Sequence, residues 1–189
     1  MSALPKPLYL SPEQYLLDEN DSASGIRYEY VNGQTYAMAG ASRGHNRVVI
    51  NFSSILHTYL KGSRCEVFQS DMKVGLQRKD DTRFYYPDIQ VSCADEDNPY
   101  YNTSPCLIVE VLSESTARKD RTEKLLAYQG IASLQEYVLC SQDTPNVEVY
   151  RRSTGWQRER FNDGQRFLLA SVNLEISVDD LYYFLMNNE

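Results

Sequence analysis

The sequence predicts an α/β (α+β) fold, a mixed sheet flanked by helices, and three observations carry this. Asn32-Gly33, the pair that favours a type I′ turn, joins two segments of strand composition. From His45 to Leu60 the residues Val48, Val49, Phe52, Ile55, Leu56, Tyr59 and Leu60 recur at helical period and form one apolar stripe. Pro105-Cys-Leu-Ile-Val-Glu-Val-Leu112 is short, nearly all apolar and followed by a helical stretch, which reads as a fully buried central strand.

The elements follow in order. Ser11-Pro12-Glu13-Gln14 starts a short helix that ends near Glu19, with Ser11 as cap, Pro12 in the first turn and Gln14 completing a capping box. Asn-Asp-Ser-Ala-Ser-Gly, ending at Gly25, is a loop. The Arg27–Met38 hairpin and the His45–Leu60 helix come next, and Lys61-Gly62 ends that helix. Cys65 to Leu76 reads as one strand bent near Gln69-Ser70-Asp71. Arg83 to Cys93 reads as the next, followed by an acidic loop to Ser104. After the Pro105–Leu112 strand a helix runs from about Thr116 to Gln129, stopped by Gly130. Glu136–Cys140, Asn146–Arg152, Trp156–Phe161 and Phe167–Leu174 read as strands. Ser177-Val-Asp-Asp180 opens a last helix. There is no linker, repeat or low-complexity tract, so residues 1–189 read as one domain.

Composition narrows the function classes. At roughly 150 residues per domain, 189 residues is about one domain, long enough to bury a core without disulfide staples. Apolar residues make up 42% and charged ones 24%, ordinary globular values. The 15 tyrosines, against 6 Phe and 1 Trp, suit strands, cleft walls and subunit interfaces. No stretch is apolar enough to span a membrane, and the N-terminus lacks the apolar core of a signal peptide, so a cytoplasmic location is expected. Cys65, Cys93, Cys106 and Cys140 sit in apolar runs with no CxxC, and read as buried free thiols rather than zinc ligands. A net charge of −7 argues against a strong, metal-free grip on many phosphates. Two basic runs remain as local patches: Arg118, Lys119, Arg121 and Lys124, and Arg151, Arg152, Arg158 and Arg160. The sequence contains no GxxxxGK[ST], strand-linked GxGxxG, HExxH or GxSxG, so P-loop hydrolysis, dinucleotide binding, zincin and ordinary serine-hydrolase chemistry lack support.

Two carboxylates carry the chemistry. Asp88 lies in Tyr86-Pro-Asp-Ile-Gln-Val, and Glu110 lies inside the most apolar strand. A carboxylate in such a strand must be paired, protonated or bound to a cation. Alternation puts Glu110 on one face with Ile108 and Leu112, and Leu107, Val109 and Val111 on the other. Two carboxylates on neighbouring strands make a hard oxygen site suited to Mg²⁺ or Mn²⁺; the plainer alternative is two structural hydrogen-bonding residues. Asp120 and Lys124 share a helical face, as a surface salt bridge or as a lysine reaching back over the metal crevice. Glu29 on the hairpin is a further ligand candidate or an exposed strand carboxylate. The helix dipole disfavours a charged His45 at a helix start, which leaves it neutral, either beside a phosphate or as an ordinary first residue. His57 is expected half-exposed, and Asp71 supports a site or marks a bend.

The ordered set Pro87-Asp88, Glu110-Val-Leu-Ser113, Asp120 and Lys124-Leu-Leu-Ala-Tyr128 resembles the restriction-endonuclease-like family called domain of unknown function 820, common in cyanobacteria, within the PD-(D/E)xK nuclease superfamily. The Tyr28-Glu-Tyr-Val-Asn-Gly hairpin, the His45 helix and the Leu134-Gln-Glu-Tyr-Val strand extend the likeness over nearly the whole chain. The resemblance implies a restriction-endonuclease-like fold, with Asp88 and Glu110 holding Mg²⁺ and the backbone carbonyl of Val111 as a further ligand. The superfamily's lysine two residues after the glutamate is Leu112 here, and the resemblance implies that Lys124 takes its place.

The activity expected is metal-assisted phosphodiester hydrolysis of DNA, with duplex DNA as the substrate. Asp88, Glu110 and Lys124 are its principal residues, Glu29 and Asp120 are subsidiary, and a homodimer suits cleavage of both strands. The alternatives are a catalytically silent nuclease-fold module that binds nucleic acid or protein, and an enzyme for smaller phosphate esters. A narrow pocket favours small esters; an open cleft with lysine and arginine on both walls favours DNA.

Overall fold

The computed structural model describes residues 9–21, 25–38 and 40–186. Most of the N-terminal stretch read for a leader, and part of the loop ending at Gly25, lie outside them. Helix α1 (Pro12–Asn20) begins as expected, with Ser11 Oγ accepting from the Gln14 backbone N–H at 3.2 Å. Gln14 does not complete the capping box; its amide donates to Asp18 at 2.6 Å instead. α1 buries Tyr15 against Tyr30 and Phe84. The hairpin β1 (Tyr28–Val31) and β2 (Gln34–Ala37) turns on Asn32 and Gly33, whose φ angles of 47° and 91° are those of the expected turn.

Helix α2 (Arg43–Leu60) starts two residues before His45, because Ser42 Oγ accepts from the His45 backbone N–H at 3.1 Å and caps it. Its buried stripe is Val48, Val49, Phe52, Leu56 and Leu60. Tyr59 leaves the stripe, half-exposed, and donates to the Asn173 carbonyl at 2.8 Å.

Two expected strands each divide into two. β3 (Glu66–Gln69) and β4 (Lys73–Arg78) replace the bent strand 65–76. β5 (Asp81–Tyr85) and β6 (Ile89–Ser92) replace the strand 83–93. At both breaks the chain passes from one sheet to another: β4 and β5 belong to a five-stranded sheet, β3 and β6 to a six-stranded one. Pro87 lacks the N–H that a continuous ladder needs, and Ser70 takes a positive φ of 44°. The breaks lie side by side, with the Ser70 N–H donating to the Asp88 carbonyl at 3.2 Å. Asp88 is therefore held at the junction of the two sheets.

The acidic loop contains one short strand, β7 (Tyr101–Asn102), and the five-stranded sheet runs β2-β1-β5-β4-β7. The remaining strands are β8 (Pro105–Leu112), β9 (Glu136–Ser141), β10 (Asn146–Arg151), β11 (Arg158–Asn162), β12 (Arg166–Leu169) and β13 (Leu174–Ser177). The last two form a hairpin where one strand, Phe167–Leu174, was expected. The six-stranded sheet runs β11-β10-β9-β8-β6-β3; its β8–β9 pair is parallel and its other pairs antiparallel. As alternation requires, Leu107, Val109 and Val111 of β8 pack on the face with α2 and α5 (Val178–Met186). Ile108 and Leu112 pack on the other, under helix 117–128. That helix is α3 (Ala117–Lys119), a π-helical turn (Asp120–Lys124) and α4 (Leu125–Tyr128) in succession. The result is mixed sheets flanked by helices, the α+β fold expected.

The cysteines depart from the free-thiol reading. Cys65 and Cys93 form a disulfide. They flank the paired strands β3 and β6, and the Glu66↔Ser92 register, continued one residue, sets them opposite each other. Cys106 and Cys140 are free, and burial pushes the Cys106 thiol up to about 11. Among the described residues no helix is long and apolar enough to cross a membrane.

Candidate functional site

A cavity of about 470 Å³ opens where the two sheets meet, and Glu29, Asp88, Glu110, Val111, Asp120 and Lys124 all line it. Each comes from a different constraint. Glu29 lies on β1, Asp88 sits at the sheet crossover, and Glu110 is on the central strand β8. The helix that follows β8 returns over it, and its widened π turn buries both Asp120 and Lys124 on the sheet side. Such turns recur at functional sites.

Lys124 is the hub. Its ammonium lies 2.9 Å from Glu29 Oε1, 2.9 Å from Glu110 Oε1 and 3.5 Å from Asp120 Oδ1. Tyr128 OH also donates to Glu110 Oε1, at 3.2 Å. Lys119, not expected at the site, donates to Glu29 Oε2 at 2.7 Å. Asp88 Oδ2 accepts from the Val111 N–H at 2.7 Å and lies 3.2 Å from His45 Nε2. The Val111 N–H is available because it lies past Val109, which pairs with Ile89 at the start of β6.

Asp88 thus makes both contacts through Oδ2, and Glu110 both through Oε1. Each keeps its second oxygen without a hydrogen bond from the described residues. Asp120 Oδ1 is buried and accepts no hydrogen bond.

The electrostatics show a shortage of positive charge. Burial raises the Glu110 carboxyl well above its ordinary value; Lys124 opposes this, and Asp120, Asp88 and Glu29 add to it. Asp120 is raised likewise, first by burial, with Lys124 and the Thr116 hydroxyl opposing. Glu29 goes the other way: burial pushes it up, but Lys124 and Lys119 together bring it below the ordinary value. Burial alone would lower Lys124, and Glu110, Glu29 and Asp120 hold it well above. His45 shifts toward its charged form. Burial lowers its pKa, but the Asp88 carboxylate more than compensates and raises it.

Among the described residues no set of three or more His, Cys, Asp or Glu side chains converges as metal ligands. The donors nevertheless fit one kind of ion. Two carboxylates with an unspent oxygen each, and a nearby backbone carbonyl, suit a hard cation that keeps several waters, as Mg²⁺ does. The crowding that raises Glu110 and Asp120 is what such a charge relieves.

Other sequence candidates lie elsewhere. Asp71 marks the bend between β3 and β4, exposed, 3.3 Å from Arg27. His57 is exposed on α2. Most residues of the two basic runs are paired within the chain. Lys119 and Lys124 turn into the cavity, and Arg121 and Arg160 pair with Glu148 at 3.2 and 3.3 Å. Arg151 pairs with Glu136 at 3.1 Å, and Arg152 donates to the Leu134 carbonyl at 2.7 Å. Tyr128 was within reach of sequence reasoning, since Asp120, Lys124 and Tyr128 recur every four residues on one helical face. Nothing local separates Lys119 from its exposed neighbour Arg118.

Comparisons with known proteins agree with this architecture. The family described as "Uma2: Putative restriction endonuclease" matches residues 12–179. The chain is 34% identical over 177 residues to "Uncharacterized protein slr1290" of Synechocystis sp. (strain ATCC 27184 / PCC 6803 / Kazusa), covering 92% of this chain and 91% of that one. To protein sll1609 of the same strain it is 33% identical over 147 residues, covering 76% and 81%. The crystal structure of "a putative nuclease belonging to DUF820" from Anabaena variabilis ATCC 29413 superposes with a TM-score of 0.71 at 19% identity, covering 96% of this chain and 99% of that one. That likeness establishes the shared fold.

Proposed function

The chain belongs to the Uma2 family, and we propose that it is a metal-dependent DNA endonuclease whose working groups are Asp88, Glu110 and Lys124. The observation that carries this reading is the Lys124 ammonium, 2.9 Å from Glu110 Oε1 in a cavity that Asp88 shares. Leu112, where the superfamily's lysine is expected, is buried with Ile108 and Tyr128 beneath the helix. A lysine from that helix meets the same glutamate instead.

The free oxygens of Asp88 and Glu110, with the Val111 carbonyl, would hold Mg²⁺ or Mn²⁺. When bound, such an ion supplies a water of lowered pKa and a Lewis acid for the phosphate. The chain's own groups do the rest. The Val111 N–H and His45 fix the Asp88 carboxylate; Tyr128 and Lys124 fix Glu110. Lys124 has three N–H donors, and two are engaged at 2.9 Å. Its third partner, Asp120, at 3.5 Å lies beyond a good hydrogen bond. That donor is the one to orient a water for in-line attack or meet charge growing on the phosphate. Glu29 and Asp120 act as positioning residues that hold the ammonium in place. A homodimer is part of this reading, and sedimentation velocity tests it. A cytoplasmic location accords with this reading.

One observation favours a second reading, a nuclease-fold module that binds nucleic acid or protein without cutting: carboxylates of its own chain surround Lys124. Supercoiled plasmid incubated with the protein and Mg²⁺ or Mn²⁺ separates the two. Metal-dependent nicking that disappears in Glu110→Gln and Lys124→Ala supports hydrolysis. Nicking that survives Glu110→Gln assigns the activity to another site or protein. No nicking of several DNAs with either metal favours the binding module.

A further inference from the structure

We infer that the cavity takes an unpaired nucleotide, with its base stacked on Tyr36, so that the substrate is single-stranded or locally unpaired DNA. This rests on the nuclease reading and specifies its substrate.

Three observations carry it. First, the cavity lining includes apolar side chains open to solvent. Tyr36, Met38 and Ile50 all line it, and they are 45%, 38% and 52% exposed. Exposed apolar groups gathered at the mouth of a polar site mark a binding surface. Tyr36 sits on β2, the edge strand of its sheet, all four of whose residues are exposed.

Second, Tyr36 is tied to the polar centre. The Lys119 ammonium lies 4.9 Å from the centre of its ring and donates to Glu29 at 2.7 Å. The same ammonium lies 5.4 Å from the centre of the Tyr85 ring. Lys119 therefore links an aromatic platform to the carboxylates that surround Lys124. Lys119 covers one face of the ring, and a base would take the other.

Third, the charges that track a duplex backbone are scarce. Among the described residues Lys119 and Lys124 are the lysine and arginine side chains lining the cavity, each beside a carboxylate. Most of the arginines of the two basic runs are bound to the chain's own carboxylates and carbonyls. The volume of about 470 Å³ suits one nucleotide rather than a paired helix. Affinity must then come largely from stacking, which tolerates any base and is strong enough to matter.

The test is fluorescence anisotropy in Ca²⁺ with three oligonucleotides of common sequence: a single strand, a perfect duplex, and a duplex with one extrahelical nucleotide. A 2-aminopurine at the unpaired position reports stacking. The single strand and the bulged duplex are expected to bind at least tenfold more tightly than the perfect duplex and to quench the probe. Tyr36→Ala is expected to lose about tenfold in that affinity, Tyr36→Phe to keep it, and both to keep the wild-type circular dichroism spectrum. Equal or tighter binding of the perfect duplex overturns the inference, as does wild-type binding by Tyr36→Ala or no binding of any of the three. Preference without cutting in Mg²⁺ or Mn²⁺ supports the subsite while the hydrolase reading fails. Cutting of perfect duplex indifferent to Tyr36→Ala sinks the subsite and leaves hydrolysis standing.

Discussion

Glu110 and Glu136 are buried glutamates on adjacent parallel strands of one sheet, and they are built for different purposes. Both oxygens of Glu136 are committed. Oε1 meets Arg151 at 3.1 Å and the Ala170 N–H at 3.1 Å; Oε2 meets the Ser171 N–H at 2.8 Å and its hydroxyl at 2.6 Å. It clasps the turn between β12 and β13 onto the sheet. Glu110 spends one oxygen on Lys124 and Tyr128, and shares its surroundings with three other carboxylates. A buried acid satisfied at both oxygens is a brace. One satisfied at a single oxygen, among like charges and facing a cavity, is equipped to bind something else.

Four measurements sharpen or break that contrast. The largest effect is expected for Glu110→Gln, which should lower metal-dependent cleavage about a thousandfold with an unchanged or higher Tm, since one of four crowded carboxylates loses its charge. A large fall in Tm would make Glu110 a brace after all. Glu136→Ala should do the opposite. It leaves Arg151 Nε and the part-buried Ala170 and Ser171 N–H groups without their acceptor, although Arg151 keeps Glu159 at 3.0 Å, at a cost of about 3 kcal/mol, a fall in Tm of roughly 6–12 °C. Cleavage per folded molecule should not change.

Glu148, a second brace, provides the pH test. Burial pushes its pKa up, but the hydrogen bond and charge of Arg121, aided by Tyr150 and Arg158, hold it below the ordinary value. Its pairing therefore contributes stability above the unfolded-state pKa of about 4.3, and that stability is lost as pH falls through the lower folded-state value. Urea midpoints between pH 6 and pH 2 should fall less steeply for Glu148→Gln than for wild type. The smallest effect is expected for Arg160→Ala. This half-exposed partner of Glu148 should cost under about 1 kcal/mol, because solvent screens the pair and Arg121 remains. A greater loss in chemical denaturation would show that Glu148 is not already satisfied by Arg121.

Much of the architecture was legible in the chain. The stripe on α2, the hairpin at Asn32-Gly33 and the face alternation of β8 obey local periodicities, and all three hold. Asp88, Glu110, Asp120 and Lys124 were legible as chemistry out of place: carboxylates in or beside apolar strands, and a lysine one turn from an aspartate. What failed was any reading that needed a partner distant in sequence. The break at Ser70 looked like a bend within a strand and Pro87 like the interior of one, because a sequence does not say that two halves of an extended run pair in different sheets. Cys65 and Cys93 looked like separate thiols, and only the β3–β6 register sets them opposite each other. Arg121, Arg151 and Arg160 looked like parts of surface patches, and only the fold pairs them with Glu136 and Glu148.

The sequence by itself determined the main helices, the hairpin at Asn32-Gly33 and the central strand β8, which face of α2 and β8 is apolar, and that two acids lie where bare charge is costly. Those properties follow from backbone geometry and transfer from water, which act over a few residues. The tertiary structure decided that Glu29, Lys119 and His45 join those acids around one cavity, that Lys124 shares its ammonium among three carboxylates, and that Tyr36 stands at the rim. Electrostatic and hydrogen-bonding partners are chosen by distance in space, and the crossing of the chain between two sheets sets that distance.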